Sequence, residues 1–177
     1  MYQQTIVNTK KGIIMKTLNI IIPSDFTLSS LNIIPVLAER YPDQKLNISF
    51  VHFLQLSDSI SDLLLLSRRS REYQLISDEF YAGCTLLKND YADQIENITP
   101  DFFYGNTVAV FKNYLEEKEA SLIAMPESHN YARLTPNSFD PTILMQRSGY
   151  KIITLKAKVK QPLTIVNAEA EHELLEV

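Results

Sequence analysis

At 177 residues, with 45% apolar and 21% charged side chains, the chain has the size and composition of an ordinary soluble globular protein with room for a substantial core. A formal charge of −4 and a pI near 5.4 count against general binding to nucleic acid or anionic membrane, and no apolar run is long enough to cross a bilayer. The single cysteine, Cys84, cannot form an internal disulfide, so a reducing cytoplasm is the expected location.

In chain order, the N-terminus lacks the long apolar core of a secretory signal, and Met15-Lys16 offers a second possible start just before the first strand. Residues 1–16 therefore read as a leader with no assigned structure. Leu18 to Ile22, apolar except for Asn19, reads as a strand buried on both faces. A polar elbow, Pro23-Ser24-Asp25, follows, and Thr27 is placed to cap a helix reaching about Arg40, kinked at Pro35 and closed by Tyr41-Pro42-Asp43. Leu46 to Phe53 is the second strand. Ser57 opens a long helical region expected to continue to Tyr81 or Tyr91. Residues 94–103 fit a short third strand, limited by Pro100 to a sheet edge. Asn106 to Glu117 reads as a helix with Val108, Phe111 and Leu115 inward, and Ser121 to Met125 as the fourth strand. Asp140-Pro141 is a helix start, and Tyr150 to Leu155 is the fifth strand.

This alternation implies an α/β fold of three layers, Rossmann-like: a five-stranded, mainly parallel sheet with helices on both faces. The expected strand order is 3-2-1-4-5, with a cleft between the first and fourth strands at the topological switch point. Residues 17–157 form the domain, and 158–177 an acidic C-terminal tail in which Leu163 to Val166 is a possible sixth strand.

Pro23-Ser24-Asp25-Phe26-Thr27, followed by Ser30-Leu31, resembles the elbow of the universal stress protein family: an apolar strand, then P-x-D-F-S/T, then S-L at the start of the first helix. Val51-His52-Phe53 resembles the family's second-strand end, Phe103-Tyr104-Gly105 its glycine before the third helix, Ala120 to Met125 its fourth strand, and Lys151 to Leu155 its closing strand. The resemblance spans about residues 17–157 and rests on pattern more than identity. It implies a regulatory or stress-response domain, often dimeric through the fifth strand, with a nucleotide site at the cleft. Carried onto this sequence, that site comprises Pro23, Ser24, Asp25, Val51, Met125, Pro126, His129 and Ser138.

Two departures bear on the ligand. ATP-binding members follow the fourth strand with G-x-x-G and later G-S/T. Here Pro126 and His129 stand at the first pair, and Ser138-Phe139 stands near the second. Only four glycines occur in the chain, none within twenty residues of another, whereas a phosphate cradle needs glycine for close backbone approach. Asp140 places a carboxylate where phosphate would meet a helix start. The expectation is no bound cofactor, with ATP or AMP as the alternative.

Other residues have ordinary readings. Asp25 serves the first turn of its helix as readily as a ligand. His52 reads as a hydrogen-bonded packing residue, His129 as a loop histidine, His172 as part of the tail, and Cys84 as core. Ser67 to Arg71 reads as a solvated basic helix face, and Phe102-Phe103-Tyr104 as strand packing. Three function classes follow: a partner-binding regulatory homodimer without ATP, an adenine-nucleotide-binding protein using Asp25, and an enzyme of the wider adenine-nucleotide hydrolase-like group. The last lacks its S-G-G-x-D-S and H-x-G-H signatures. A phosphorylation receiver lacks its acid pair beside Asp25. The chain is expected not to be an enzyme, and any protein partner is unknown.

Overall fold

Five apolar segments pair into one parallel sheet in the computed structural model, which describes residues 16–56, 71–127 and 131–156. The strands are β1 (Thr17–Pro23), β2 (Lys45–Leu54), β3 (Ile95–Tyr104), β4 (Leu122–Pro126) and β5 (Ile152–Leu155). Their order is β3-β2-β1-β4-β5, and every pairing is parallel, as the alternation of elements implied. The helices are α1 (Ile34–Arg40), α2 (Asp78–Asp90), α3 (Val108–Glu117) and α4 (Thr142–Arg147).

Strand periodicity divides the core in two. Ile20, Ile22, Ile48, Phe50, Phe102 and Ala124 face α1 and α2, packing on Leu37, Phe80 and Cys84. Ile21, Val51, Phe53, Phe103 and Ile123 face α3 and α4, packing on Phe111, Leu115 and Met145. Residues two apart on a strand share a face, so near-continuous apolar runs are what a sheet covered on both sides requires. Cys84 lies in the first core, and burial pushes its thiol up to about 12, which leaves it protonated and inert.

Four local expectations are corrected. The stretch after the elbow is not one kinked helix: a 3-10 segment, Leu28–Ile33, precedes α1, and Pro35 falls in the first turn of α1, where its missing N–H leaves no intrahelical bond unmade. Thr27 makes no side-chain cap, because its hydroxyl donates to Asp25 Oδ1 at 2.8 Å. The helical region expected through Tyr81 is broken at Ile76-Ser77: a 3-10 turn, Glu72–Leu75, is separated from α2, whose N-terminus Ser77 caps through Phe80 N–H. β3 is not limited by Pro100: it runs through it from Ile95 to Tyr104, and the proline is accommodated because the strand lies at the sheet edge, as expected. The leader, residues 57–70, His129, most of the Ser67–Arg71 cluster and the acidic tail lie outside the described residues.

Two polar devices fix the sheet. At its amino end Asn19, Asn47 and Asn97 stand in register across β1, β2 and β3. Lys88 Nζ donates to Asn97 Oδ1, Asn97 Nδ2 to Asn47 Oδ1, Asn47 Nδ2 to Asn19 Oδ1, and Asn19 Nδ2 to the Glu119 carbonyl. Slipping any strand by one residue would break this row as well as exchange the faces.

At the β3 edge, Asp101 Oδ1 accepts from Tyr73 at 3.1 Å and from Phe102 N–H, while Oδ2 accepts from Tyr114 at 3.0 Å and pairs with Lys118 at 2.6 Å. Tyr73 packs on Phe102 and Tyr114 on Phe103, so one carboxylate ties both helical layers to the edge strand. Asp101→Ala takes the acceptor from a half-buried tyrosine hydroxyl and is expected to cost about 2 kcal/mol in urea unfolding; Tyr114→Phe, which removes donor and demand together, should cost about 1 kcal/mol.

Candidate functional site

The switch point lies where β1 gives way to β4, and the elbow after β1 sits directly above it. β1 ends opposite Val51, whereas β2 runs on through Leu54. Ser24 N–H closes the last β1 contact by donating to the Val51 carbonyl at 2.9 Å. Beyond it, the backbone groups of Phe53 on the β1 side have no strand to meet. The loop after β4 returns to take them. Tyr131 Oη accepts from Phe53 N–H at 2.8 Å, Phe139 N–H donates to the Phe53 carbonyl at 3.2 Å, and Gln55 N–H donates to the Asn137 carbonyl at 2.8 Å. Leu54 and Ser138 form an antiparallel bridge. Residues 131–139 thus stand at the carboxyl end of β2 where a continued β1 would have been.

His52 is the centre of this closure. It is fully buried on the α1/α2 side of β2, between Phe26 and Phe102, with the Tyr131 ring stacked on it at 5.0 Å between centroids and 9° between planes. Nδ1 lies 2.7 Å from the Ser24 carbonyl and Nε2 lies 2.8 Å from Ser138 Oγ. A carbonyl only accepts, so Nδ1 carries the proton. Ser138 Oγ already accepts from Leu134 N–H at 3.1 Å and Thr135 N–H at 3.0 Å, so its own hydrogen points to Nε2. The network fixes a neutral imidazole with one tautomer. Burial lowers its pKa from 6.5, opposed in part by the Ser24 carbonyl and the charge of Asp25.

The elbow itself is held by short-range bonds. Ser24 Oγ accepts from Phe26 N–H at 2.9 Å and donates to Ser30 Oγ at 3.0 Å. Phe26 takes a left-handed backbone, φ 56°, which is strained for a bulky side chain and is compensated by burial of its ring against Phe80 and Phe102. Asp25 Oδ1 accepts from Thr27 N–H and Thr27 Oγ1, and Oδ2 accepts from Ala132 N–H at 3.3 Å, a further tie to the loop.

The residues expected to line the cleft are therefore distributed as follows. Pro23, Ser24 and Val51 are buried, and Ser24 and Val51 make the bonds just described. Asp25 is half-buried and bound to Thr27 and Ala132. Met125 and Pro126 are half-buried at the end of β4, opposite Thr154 and Leu155 of β5. Ser138 is buried against His52. His129 lies outside the described residues. Asp140 Oδ1 accepts from Thr142 N–H at 2.9 Å and Thr142 Oγ1 at 2.6 Å, but Pro141 rather than Asp140 holds the cap position, so α4 starts one residue later than expected. Tyr131 was missed by sequence reasoning; its only signal is a lone aromatic in a polar, turn-rich loop.

Comparison with solved structures sets this geometry in context. The universal stress protein UspA from Lactobacillus plantarum is similar at a TM-score of 0.50 and 15% identity, over 80% of this chain and 99% of that one. The chain has the universal stress protein fold. A universal stress protein in complex with cAMP is similar at 19% identity and a TM-score of 0.43, over 80% of this chain and 98% of that one. A universal stress protein family member from Burkholderia pseudomallei follows at 15% identity and 0.44, over 78% and 96%. No protein-family model matches the sequence, and no curated protein does. Within the universal stress protein fold, this chain sets Tyr131 and Ser138 against the carboxyl end of the second strand. Nitrogen-detected NMR at neutral pH is expected to find Nδ1 of His52 protonated and Nε2 bare; the opposite tautomer would refute the hydrogen-bond assignment.

Proposed function

We propose that this chain is a universal stress protein-like regulatory domain that does not bind ATP in the glycine-loop manner and has no catalytic role. The observation that carries this reading is the return of residues 131–139 to the second strand. Phe53 N–H and C=O, left without a β1 partner at the switch point, bond to Tyr131 Oη and to Phe139 N–H. The phosphate end points the same way: Asp140 holds the first turn of α4, and the loop offers proline and serine where a close approach to phosphate favours glycine. Among the described residues no group of histidine, cysteine, aspartate and glutamate is arranged to hold a metal ion, and no helix is long and apolar enough to cross a membrane. Cys84 is buried and protonated, and both nitrogens of His52 are engaged, so neither supports nucleophilic or acid–base work.

Millimolar Mg-ATP and AMP at neutral pH are expected to leave the melting temperature unchanged, because a ligand stabilises only to the extent that it binds the folded state. A shift of several degrees that Asp25→Ala abolishes would establish the adenine-nucleotide alternative.

Such a domain acts by assembly, and β5 supplies the edge for it. Among the described residues no strand pairs with its outer side, and a twofold arrangement is the commonest closed form. Light scattering at micromolar concentration should give a dimer for the full chain. A monomer that dimerises only when the chain is ended at Lys160 would show instead that the tail covers the edge.

A further inference from the structure

Besides the backbone bonds of Phe139 N–H to the Phe53 carbonyl and Gln55 N–H to the Asn137 carbonyl, three bonds that use a side chain hold the 131–139 loop to the body: Ala132 N–H to Asp25, Tyr131 Oη to Phe53 N–H, and Ser138 Oγ to His52. The third is the one whose sign depends on a proton. With His52 neutral, every donor has an acceptor: Nδ1–H meets the Ser24 carbonyl, the Ser138 hydroxyl meets Nε2, and the two lone pairs of Ser138 Oγ meet Leu134 N–H and Thr135 N–H. A proton added from solvent goes to Nε2, the ring nitrogen that carries no hydrogen. Ser138 Oγ then faces three N–H donors with two lone pairs, and its own hydrogen must turn from Nε2 to the more distant Thr135 Oγ1 at 3.4 Å. One donor is left unsatisfied beside two buried side chains, His52 and Ser138, an arrangement that costs more than the original bond contributed.

We infer that the loop is a pH-sensitive latch: a proton on His52 breaks the Ser138 bond and lifts residues 131–139 from the carboxyl ends of β1 and β2, uncovering the switch-point cleft. The titratable groups facing His52 among the described residues are Asp25 from the elbow and Tyr131 from the loop. Asp25 favours the cation. The Tyr131 phenol stays neutral because burial pushes its pKa upward. β3 presents Phe102 and the elbow presents Phe26, neither of which titrates. With the closed-state imidazole depressed below 6.5 and the opened one near it, the closed loop has its full stability above 6.5. That stability is lost as pH falls below 6.5 towards the closed-state value, because the open form binds the proton more tightly.

The inference deepens the reading of the loop as occupant of the cleft, and the two fail separately. Nucleotide binding at neutral pH would refute the occupied cleft without touching the latch. Amide hydrogen exchange on the full chain, corrected for the intrinsic pH dependence of exchange, tests the latch. Protection of residues 131–139 should fall about tenfold for each pH unit below 6.5, while β4 and β5 keep theirs. His52→Gln, whose amide does not titrate, should give a flat profile. The wild-type ring, followed by NMR, provides a measurement that needs no variant: its titration and the loop signals should move together, with a midpoint below 6.5. Loop protection that ignores pH, a profile as steep in His52→Gln, a ring that titrates without the loop moving, or loss of β4 and β5 in the same step would each overturn the latch.

Discussion

The bridge from Ser24 through His52 to Ser138 organises the carboxyl end of this molecule. One imidazole joins the elbow after β1 to the loop after β4, two segments more than a hundred residues apart in the chain, and does so from inside β2. Because the ring is buried and both nitrogens are engaged, each partner is fixed relative to the sheet as well as to the other. Tyr131, Ala132 and Phe139 add their own bonds to Phe53 and Asp25 beside that anchorage. The Ser138 hydroxyl supplies the bond that ties the loop to that ring.

The sheet was legible in the sequence because its signal is long and redundant. Isoleucines at 20, 21 and 22 and phenylalanines at 50 and 53 can only be satisfied by helices on both faces. The elbow residues and the packing roles of His52, Cys84, Phe102 and Phe103 were legible for the same reason, each lying on a strand or helix whose periodicity fixed its face. What the sequence concealed depends on single long-range bonds. Nothing local to Tyr131 says that its hydroxyl meets Phe53 N–H, and the missing glycines told against phosphate without saying what the loop does in its place. The break at Ile76-Ser77 was hidden because Ile76, Phe80 and Leu87 keep helical spacing across it; the serine cap at 77 was the overlooked signal.

The centre and the β3 edge of the sheet are built on opposite electrostatic plans. At the carboxyl end the polar groups are buried, few and matched one to one, so a single proton disturbs them. At the β3 edge Asp101 is partly exposed and gathers two tyrosines and a lysine, and Lys118 also lies over the Tyr114 ring. Loss of one of those partners leaves others in place, and solvent is near enough to compensate. Sensitivity and tolerance thus stand one register position apart on the pair β2 and β3, where Asp101 lies opposite Val51 and Phe102 opposite His52.

The asparagine row at the opposite end has a consequence for the protein's chemical lifetime. Its four bonds all point one way, from the Lys88 ammonium across three amides to a backbone carbonyl, and such aligned donors reinforce one another. Deamidation of any member would set two carboxylate oxygens against an acceptor or remove a donor from the relay, so ageing at one position would be felt in all three strands. The residue following an asparagine governs how readily its backbone nitrogen attacks the side chain, and bulky β-branched residues obstruct that attack. Asn19, Asn47 and Asn97 are each followed by isoleucine: Ile20, Ile48 and Ile98. The same isoleucines that pack the sheet therefore shield the relay beside them from its own slow chemistry.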